Sequence, residues 1–411
     1  MRINLLTCFF SILAVSSSAQ RVCGNISYNH TSSQREINTS SNAVNRDTLR
    51  DEIISIPVVF HIVYNNASQN ISDAQILSQI EVLNEDFRRT NTDAVNTPAV
   101  FQSFAADSRI KFCLAKKDEL GRPSNGIIRK STNRSIFSVN DAMKFNLSGG
   151  DNAWDCTQYL NIWVCNLEGG TLGYATQPGD PADVDGVVIQ YNALGRIGNL
   201  QSNFNKGRTA THEIAHWLGL KHIWGDTDCG DDHIFDTPQQ YGYNNGCPSF
   251  PHLSTCSPNG NGDMFMNFMD YTNDACMNLF TNGQKLKMRA LFALNGPRNS
   301  FLNSTACDSV TESGAALPTE VTPVAPSIEN TTGTISIYPN PVQQDLIIIG
   351  LNGYELKGKS ILIFSVTGKK VLSTSLVSNQ NKINLSNLPS GVYFLKIEGD
   401  ADKKAYKIIK L

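Results

Sequence analysis

Residues 212–222 read His212-Glu213-Ile214-Ala215-His216-Trp217-Leu218-Gly219-Leu220-Lys221-His222, the pattern H-E-x-x-H-x-x-G-x-x-H. On a helix, positions four apart share a face, so His212 and His216 point the same way. Glu213 lies beside them on the same turn. Gly219 can take a left-handed backbone at no Cβ cost and end the helix, after which the chain returns His222. Three neutral imidazoles leave a fourth position open, the arrangement of a catalytic zinc site, where zinc lowers the pKa of a water to about 7. A solvated helix carrying histidines by chance would not fix so many positions. The chain has only 7 histidines, and three of them stand here.

With its glycine and third histidine, the run is the extended, metzincin form of a metalloprotease signature. The whole chain is compatible with that. Its 411 residues suggest more than one domain, and 40% hydrophobic with 17% charged residues is ordinary for globular structure. A net charge of −3 gives no reason to expect nucleic acid or an anionic membrane as partner. No apolar run of bilayer length occurs outside the N-terminus, so no transmembrane segment is expected. Met1-Arg2, an apolar stretch from Leu5 to Val15 and small residues up to Ala19 describe a secretory signal peptide, residues 1–19. An exported chain should pair most of its remaining cysteines: Cys23, Cys113, Cys156, Cys165, Cys229, Cys247, Cys256, Cys276 and Cys307. Their number is odd, so at least one is free or pairs between molecules.

Residues 20–50 are polar and poor in apolar anchors, as in a loosely folded pro-segment. Ile56 to Tyr64 then reads as a buried strand. A helix follows, with Ser72 as N-cap, Gln75 completing a capping box, and Ile76, Ile80, Leu83 and Phe87 on one face. Further strands are expected at Arg109–Leu114 and Tyr159–Leu167, with shorter ones at Gly173–Ala175 and Gly186–Ile189. The zinc-motif helix is placed at about Gly207 to Leu218 and a closing helix at about Asn282 to Asn295. The order predicts an α/β domain with a twisted mixed, mostly parallel sheet and an active-site helix. From Cys229 to Cys276 the chain is rich in Gly, Asn, Asp and Pro. This irregular lower subdomain needs disulfides, and perhaps a metal, to order it; four cysteines alone permit three pairings.

Downstream, Asn267-Phe268-Met269-Asp270-Tyr271 carries a methionine suited to form an apolar floor beneath the three histidines, with Tyr271 able to hydrogen-bond an oxyanion. Together with Trp224-Gly225-Asp226 and Asp236-Thr237-Pro238, these motifs resemble the pappalysin family of metzincin metallopeptidases, above all its bacterial, ulilysin-like members. The resemblance covers about residues 50–300. It implies a zinc endopeptidase with a cleft between an upper α/β subdomain and an irregular lower one, and crossed disulfides Cys229–Cys256 and Cys247–Cys276. It also implies calcium, for which Asp231, Asp232, Asp236 and Thr237 offer hard oxygens. Asp274 follows the methionine turn where the S1′ wall runs in metzincins, and is expected to favour Arg or Lys at P1′. The expected chemistry has Glu213 as general base toward the zinc-activated water and proton donor to the leaving amine. The strand holding Gly173 and Tyr174 would pair with an extended substrate through its main chain. Arg21-Val22-Cys23-Gly24 looks like a cysteine switch, its thiolate taking the fourth zinc position until a cut near Arg46 or Arg50.

Residues 308–333 are a Ser-, Thr-, Pro- and Ala-rich linker. After it, short alternating runs separated by turns predict about seven strands in a small all-β sandwich, residues 334–411. Ile337-Tyr338-Pro339-Asn340-Pro341, Gly391 to Leu395 and Lys407-Ile408-Ile409-Lys410 resemble the sorting domain of the type IX secretion system of Bacteroidetes. The organisation read from the sequence is therefore signal peptide, pro-segment, metalloprotease domain at 51–307, linker and sorting domain. The chain is expected to be a secreted, monomeric zinc endopeptidase made as a zymogen, acting on protein and peptide substrates. A secreted adhesin with a non-catalytic metal site is the competing reading, and Glu213 argues against it, since a structural site needs no base.

Overall fold

A computed structural model describes residues 21–24, 52–258, 260–308, 334–338, 342–351, 355–365, 369–398 and 405–411. The signal sequence, most of the pro-segment, nearly all of the linker, and Pro339-Asn340-Pro341 lie outside the described residues. Two compact units are present, within 1–314 and 315–411. No described helix is long and apolar enough to cross a membrane.

The first unit is built on a six-stranded sheet. Strand β1 (Ile54–Tyr64) pairs in parallel with β2 (Ile110–Leu114) along its first half and β3 (Ile127–Ser131) along its second. Its other edge carries β4 (Leu160–Cys165), then β6 (Val187–Gln190), then β5 (Gly173–Ala175), which alone is antiparallel. β1 and β4 are buried almost throughout, as expected of strands covered on both faces. Ile54, Ile56, Val58, Phe60 and Ile62 face the main core with both principal helices, whereas Val59 and Val63 join smaller clusters behind the sheet.

Helix α1 (Asp73–Phe87) lays Ile76, Leu83 and Phe87 into that core. Ser72 caps it by accepting from Gln75 N at 3.2 Å. The expected capping box does not form. The Gln75 side chain instead donates to the main-chain carbonyls of Tyr191 and Leu194. Helix α2 (Arg208–Trp217) carries the zinc motif and is buried along its whole length. Helix α3 (Asn282–Ala290) is shorter than expected; beyond it Leu294 is exposed, as is Leu286 on the helix itself, while Met288 and Leu291 pack inward. The capping box occurs here, between Thr281 and Gln284.

Among the described residues between α2 and α3 no strand forms and the only helical piece is a short 3-10 turn at Asp274–Cys276. Disulfides Cys229–Cys256 and Cys247–Cys276 tie this segment to itself, and Cys113–Cys307 ties β2 to the end of the unit. Among the described residues Cys23, Cys156 and Cys165 are free.

The second unit holds β7 (Thr334–Tyr338), β8 (Asp345–Leu351), β9 (Ser360–Ser365), β10 (Lys370–Ser375), β11 (Gln380–Asn384), β12 (Gly391–Ile397) and β13 (Ala405–Lys410). They form antiparallel sheets in the orders β10-β9-β12-β13 and β11-β8-β7. Leu346, Ile348, Ile361, Ile363, Leu395 and Ile397 share one core.

A candidate zinc centre and its occupant

Helix α2 brings His212 and His216 onto one face, and Gly219, at φ +81°, turns the chain so that His222 comes back to them. The Nδ1 of His212 faces the Phe268 carbonyl at 2.7 Å, and that of His216 faces the Leu220 carbonyl at 2.9 Å. The Nδ1 of His222 faces the Asp226 carboxylate. Each partner can only accept, so each Nδ1 carries the proton and each Nε2 presents a bare lone pair. These lone pairs converge. His216 Nε2 lies 3.1 Å from that of His212 and 3.0 Å from that of His222. Three lone pairs at this spacing repel unless a cation lies among them, so the donor set fits zinc. Burial keeps His212 and His216 neutral as ligands must be: it lowers the His212 pKa well below the usual range and holds His216 down to about 3.

The floor is the methionine turn. Phe268 supplies the acceptor for His212, and the Met269 carbonyl accepts from Ile223 N, next to His222, at 3.2 Å. Met269 itself is buried in the main core. Tyr271 stands edge-on to His222, ring centroids 4.9 Å apart. Asp270, between them, accepts from Asn244 and Gln240 side chains and pins the turn to the lower segment.

Glu213 is buried, and burial pushes its carboxyl up to about 8, against the opposing pull of the Cys23 thiol and the Arg21 charge. Strand β5 passes directly over it. A Cβ on Gly173 would stand 2.8 Å from Glu213 Cγ and 2.9 Å from the Val188 carbonyl oxygen, so only glycine lets the strand approach the carboxylate. The side chain of Tyr174 points away from this site: its hydroxyl donates to Asp141 at 3.0 Å behind the sheet, leaving only its main chain to the cleft.

Residues 21–24 lie in the cleft. Gly24 N donates to the Gly173 carbonyl at 2.9 Å and Leu172 N to that of Val22 at 3.0 Å, a parallel pairing on the open edge of β5. This places the Cys23 thiol 3.3 Å from Glu213 Oε2, and ligand atoms of Cys23, His212, His216 and His222 all lie within 4.8 Å of one another. Burial, then the Glu213 charge and hydrogen bond, push the metal-free thiol well above its ordinary value; a coordinated metal reverses that order. Two residues back, Arg21 is buried and meets Asp274 Oδ1 at 2.6 Å, its guanidinium 5.2 Å from the Phe204 ring centroid. The other Asp274 oxygen accepts from Lys206 N at 2.8 Å and Arg208 N at 3.2 Å, at the start of α2.

The four candidate calcium ligands do not gather as a set. Asp231 is exposed beside His233. Asp236 is drawn to α3, accepting from Thr281 Oγ1 at 2.6 Å and Gly283 N at 2.8 Å. Asp232 and Thr237 do meet, the hydroxyl donating at 2.8 Å. Phe204 was not singled out from the sequence, and Arg21 and Asp226 stood there only as members of quoted motifs, with no role of their own. Only its nearness to Cys23 could have flagged a role for Arg21.

Residues 148–293 match the family profile described as pregnancy-associated plasma protein-A, that of the pappalysins. An "Extracellular metalloprotease" of Verticillium alfalfae is 30% identical over 253 residues, 58% of this chain and 78% of its own length. One from Pyricularia oryzae is 32% identical over 255 residues, 59% and 77%. This chain belongs to the pappalysin family of metallopeptidases. Among solved structures, mature mirolysin of Tannerella forsythia with a cleaved peptide is 54% identical with a TM-score of 0.60, covering 61% of this chain and 96% of that one. A promirolysin mutant of the same organism is 54% identical with a TM-score of 0.61, covering 62% and 85%. Residues 336–411 match a secretion system C-terminal sorting domain. The protein is thus a secreted zinc metalloendopeptidase with a type IX sorting domain.

Proposed function

We propose that this metallopeptidase is made latent, with Cys23 on the open side of the zinc centre, and that after residues 21–24 leave, Glu213 serves as its general base and Asp274 selects a basic residue at P1′. The observation that carries the reading is the Cys23 thiol among the three histidines and on Glu213. His212, His216 and His222 would hold zinc, which when bound supplies a Lewis acid that acidifies water and polarises a carbonyl. Glu213 takes the proton of the attacking water and gives it to the leaving amine. Tyr271 donates to the oxygen that gains charge. The main chain of β5, once its edge is vacated, holds the substrate extended. Arg21 in the Asp274 pocket supports the P1′ assignment, since a guanidinium already fits there. Calcium in the 231–237 loop would be held by Asp232 and Thr237, the two candidates that meet, and is supported by the Asp232 Oδ2, which is buried without a hydrogen-bond partner; chelation of calcium should then lower the thermal midpoint with zinc still bound.

The test is digestion of a denatured protein mixture by the purified secreted chain, cut sites read by mass spectrometry. Cleavage before Arg or Lys, absent with Glu213→Ala and with a zinc chelator, is expected. Cys23→Ala should show activity or self-cleavage early. Unchanged latency in that variant would overturn the switch, and a flat P1′ profile would overturn the role of Asp274.

A further inference from the structure

We propose that Asp226 is the positioning residue of the third metal ligand, His222, and sets how tightly the centre holds zinc. The inference rests on the assignment of His212, His216 and His222 as ligands. The three imidazoles are steered in two different ways. His212 and His216 are buried rings that donate to main-chain oxygens, which no substitution removes. His222 lies beyond the helix, and its Nδ1 donates to a side-chain carboxylate. That carboxylate fixes the tautomer, leaving the lone pair on the Nε2 that faces His216 Nε2 at 3.0 Å. Being charged, it also makes the ring a stronger donor to a cation than a peptide oxygen would.

The surroundings of the ring agree with a clamp. Trp224 lies flat against it, centroids 4.4 Å apart and planes 4° apart, while Tyr271 closes its edge. Face, edge and Nδ1 are each held by a different residue. The backbone is shaped for the purpose: Gly225 at φ +63° and Asp226 at φ +61° are consecutive left-handed residues that fold the chain back on His222. A non-glycine residue is uncommon in that region, and Asp is among the few that enter it.

The full chain, carrying Glu213→Ala so that it stays intact, would be compared with the same chain carrying Asp226→Asn, Asp226→Ala or Asp226→Gly. Zinc affinity is read by competition with a chromogenic chelator, and ligand geometry from the visible spectrum of the Co2+ form. Asp226→Ala and Asp226→Gly are expected to weaken zinc by about 10–100-fold and shift the Co2+ bands, the loss usual for the outer partner of a ligating histidine. Asp226→Asn keeps an oxygen acceptor and suits the backbone, so its loss should be smaller. Asp226→Gly is the decisive arm, because glycine accepts the left-handed backbone freely but has no carboxylate. Parent-like zinc affinity in that variant would overturn the proposal. So would a fall in the metal-free thermal midpoint of Asp226→Ala as large as that of the zinc-bound form, which would mark a turn-forming role. His216→Ala tests the ligand assignment separately: parent-like affinity there sinks the assignment, whereas a normal loss with unaffected Asp226 variants sinks only the positioning role.

Discussion

Strand β1 and the segment from Cys229 to Cys276 both serve the zinc centre, but they are held by different forces. β1 satisfies its backbone through ladders to three strands and buries nearly every side chain. The described residues of the 229–276 segment form no ladder of their own. Two disulfides, the Asp270 carboxylate and the link from Asp236 to α3 do that work. In the sheet the volume of the buried apolar side chains decides most. In the lower segment volume matters less, and individual cross-links and polar groups decide whether Phe268, Met269 and Tyr271 stay beneath the histidines. The largest effect should therefore come from the sheet. Phe60→Ala, at a fully buried site, is expected to cost about 3–5 kcal/mol in denaturant unfolding and to weaken both regions together. A loss below about 1 kcal/mol would show that the sheet is not the common foundation.

Removing the Cys247–Cys276 disulfide by paired serine substitutions should cost about 2–4 kcal/mol. It should also act locally. Hydrogen exchange is expected to quicken in 229–276 while β1 and β4 keep their protection. Equal loss of protection in the sheet would break the distinction, since it would mean that the two regions open as one unit.

The same contrast decides what the sequence could reveal. The histidine spacing was legible because a helix and one glycine fix it, and β1 because burial on both faces leaves a near-continuous apolar run, interrupted by His61. The crossed disulfides came with the family resemblance, not from spacing. Cys113–Cys307, 194 residues apart, could not be chosen among several candidates. Gln75 carried the right residue for a capping box, yet its side chain went to two loop carbonyls from a distant part of the chain. β11 is hard to place from sequence because Gln380-Asn381-Lys382-Ile383-Asn384 is almost wholly polar, with Ile383 packed in the core. Asp226 and Arg21 act only through residues that folding brings beside them, so composition and periodicity carry no trace of their partners.

Asp270 sharpens the comparison through pH. Burial pushes its carboxyl from the ordinary 3.8 up to about 6, although donors from Asn244, Gln240 and Tyr271 pull the other way. The folded state therefore holds this proton to higher pH than the unfolded chain. Its contribution to stability is full below about 4 and is lost as pH rises through about 6. Asp270→Asn should flatten that part of the thermal-midpoint profile. It should also cost about 1–3 kcal/mol at neutral pH, because an amide turns donors toward donors. An unchanged profile between those pH values would remove Asp270 as the titrating clamp.

The smallest effects separate two helix caps. Ser72 is exposed and caps α1 with one bond, from Gln75 N. Thr281 is buried, completes a capping box with Gln284, and donates to Asp236 at 2.6 Å. Gln284 in turn exchanges hydrogen bonds with Asn267, whose Oδ1 accepts from Met269 N at 2.9 Å. The cap of α3 is thus wired to the methionine turn, whereas that of α1 ends with the helix. Ser72→Ala should cost about 0.5–1 kcal/mol and leave catalysis alone, while Thr281→Ala should approach about 2 kcal/mol. Thr281→Ala should also lower zinc affinity, because the turn that steers His212 loosens with it. Equal losses and equal zinc affinities in the two variants would mean that the lower segment is held by its disulfides alone.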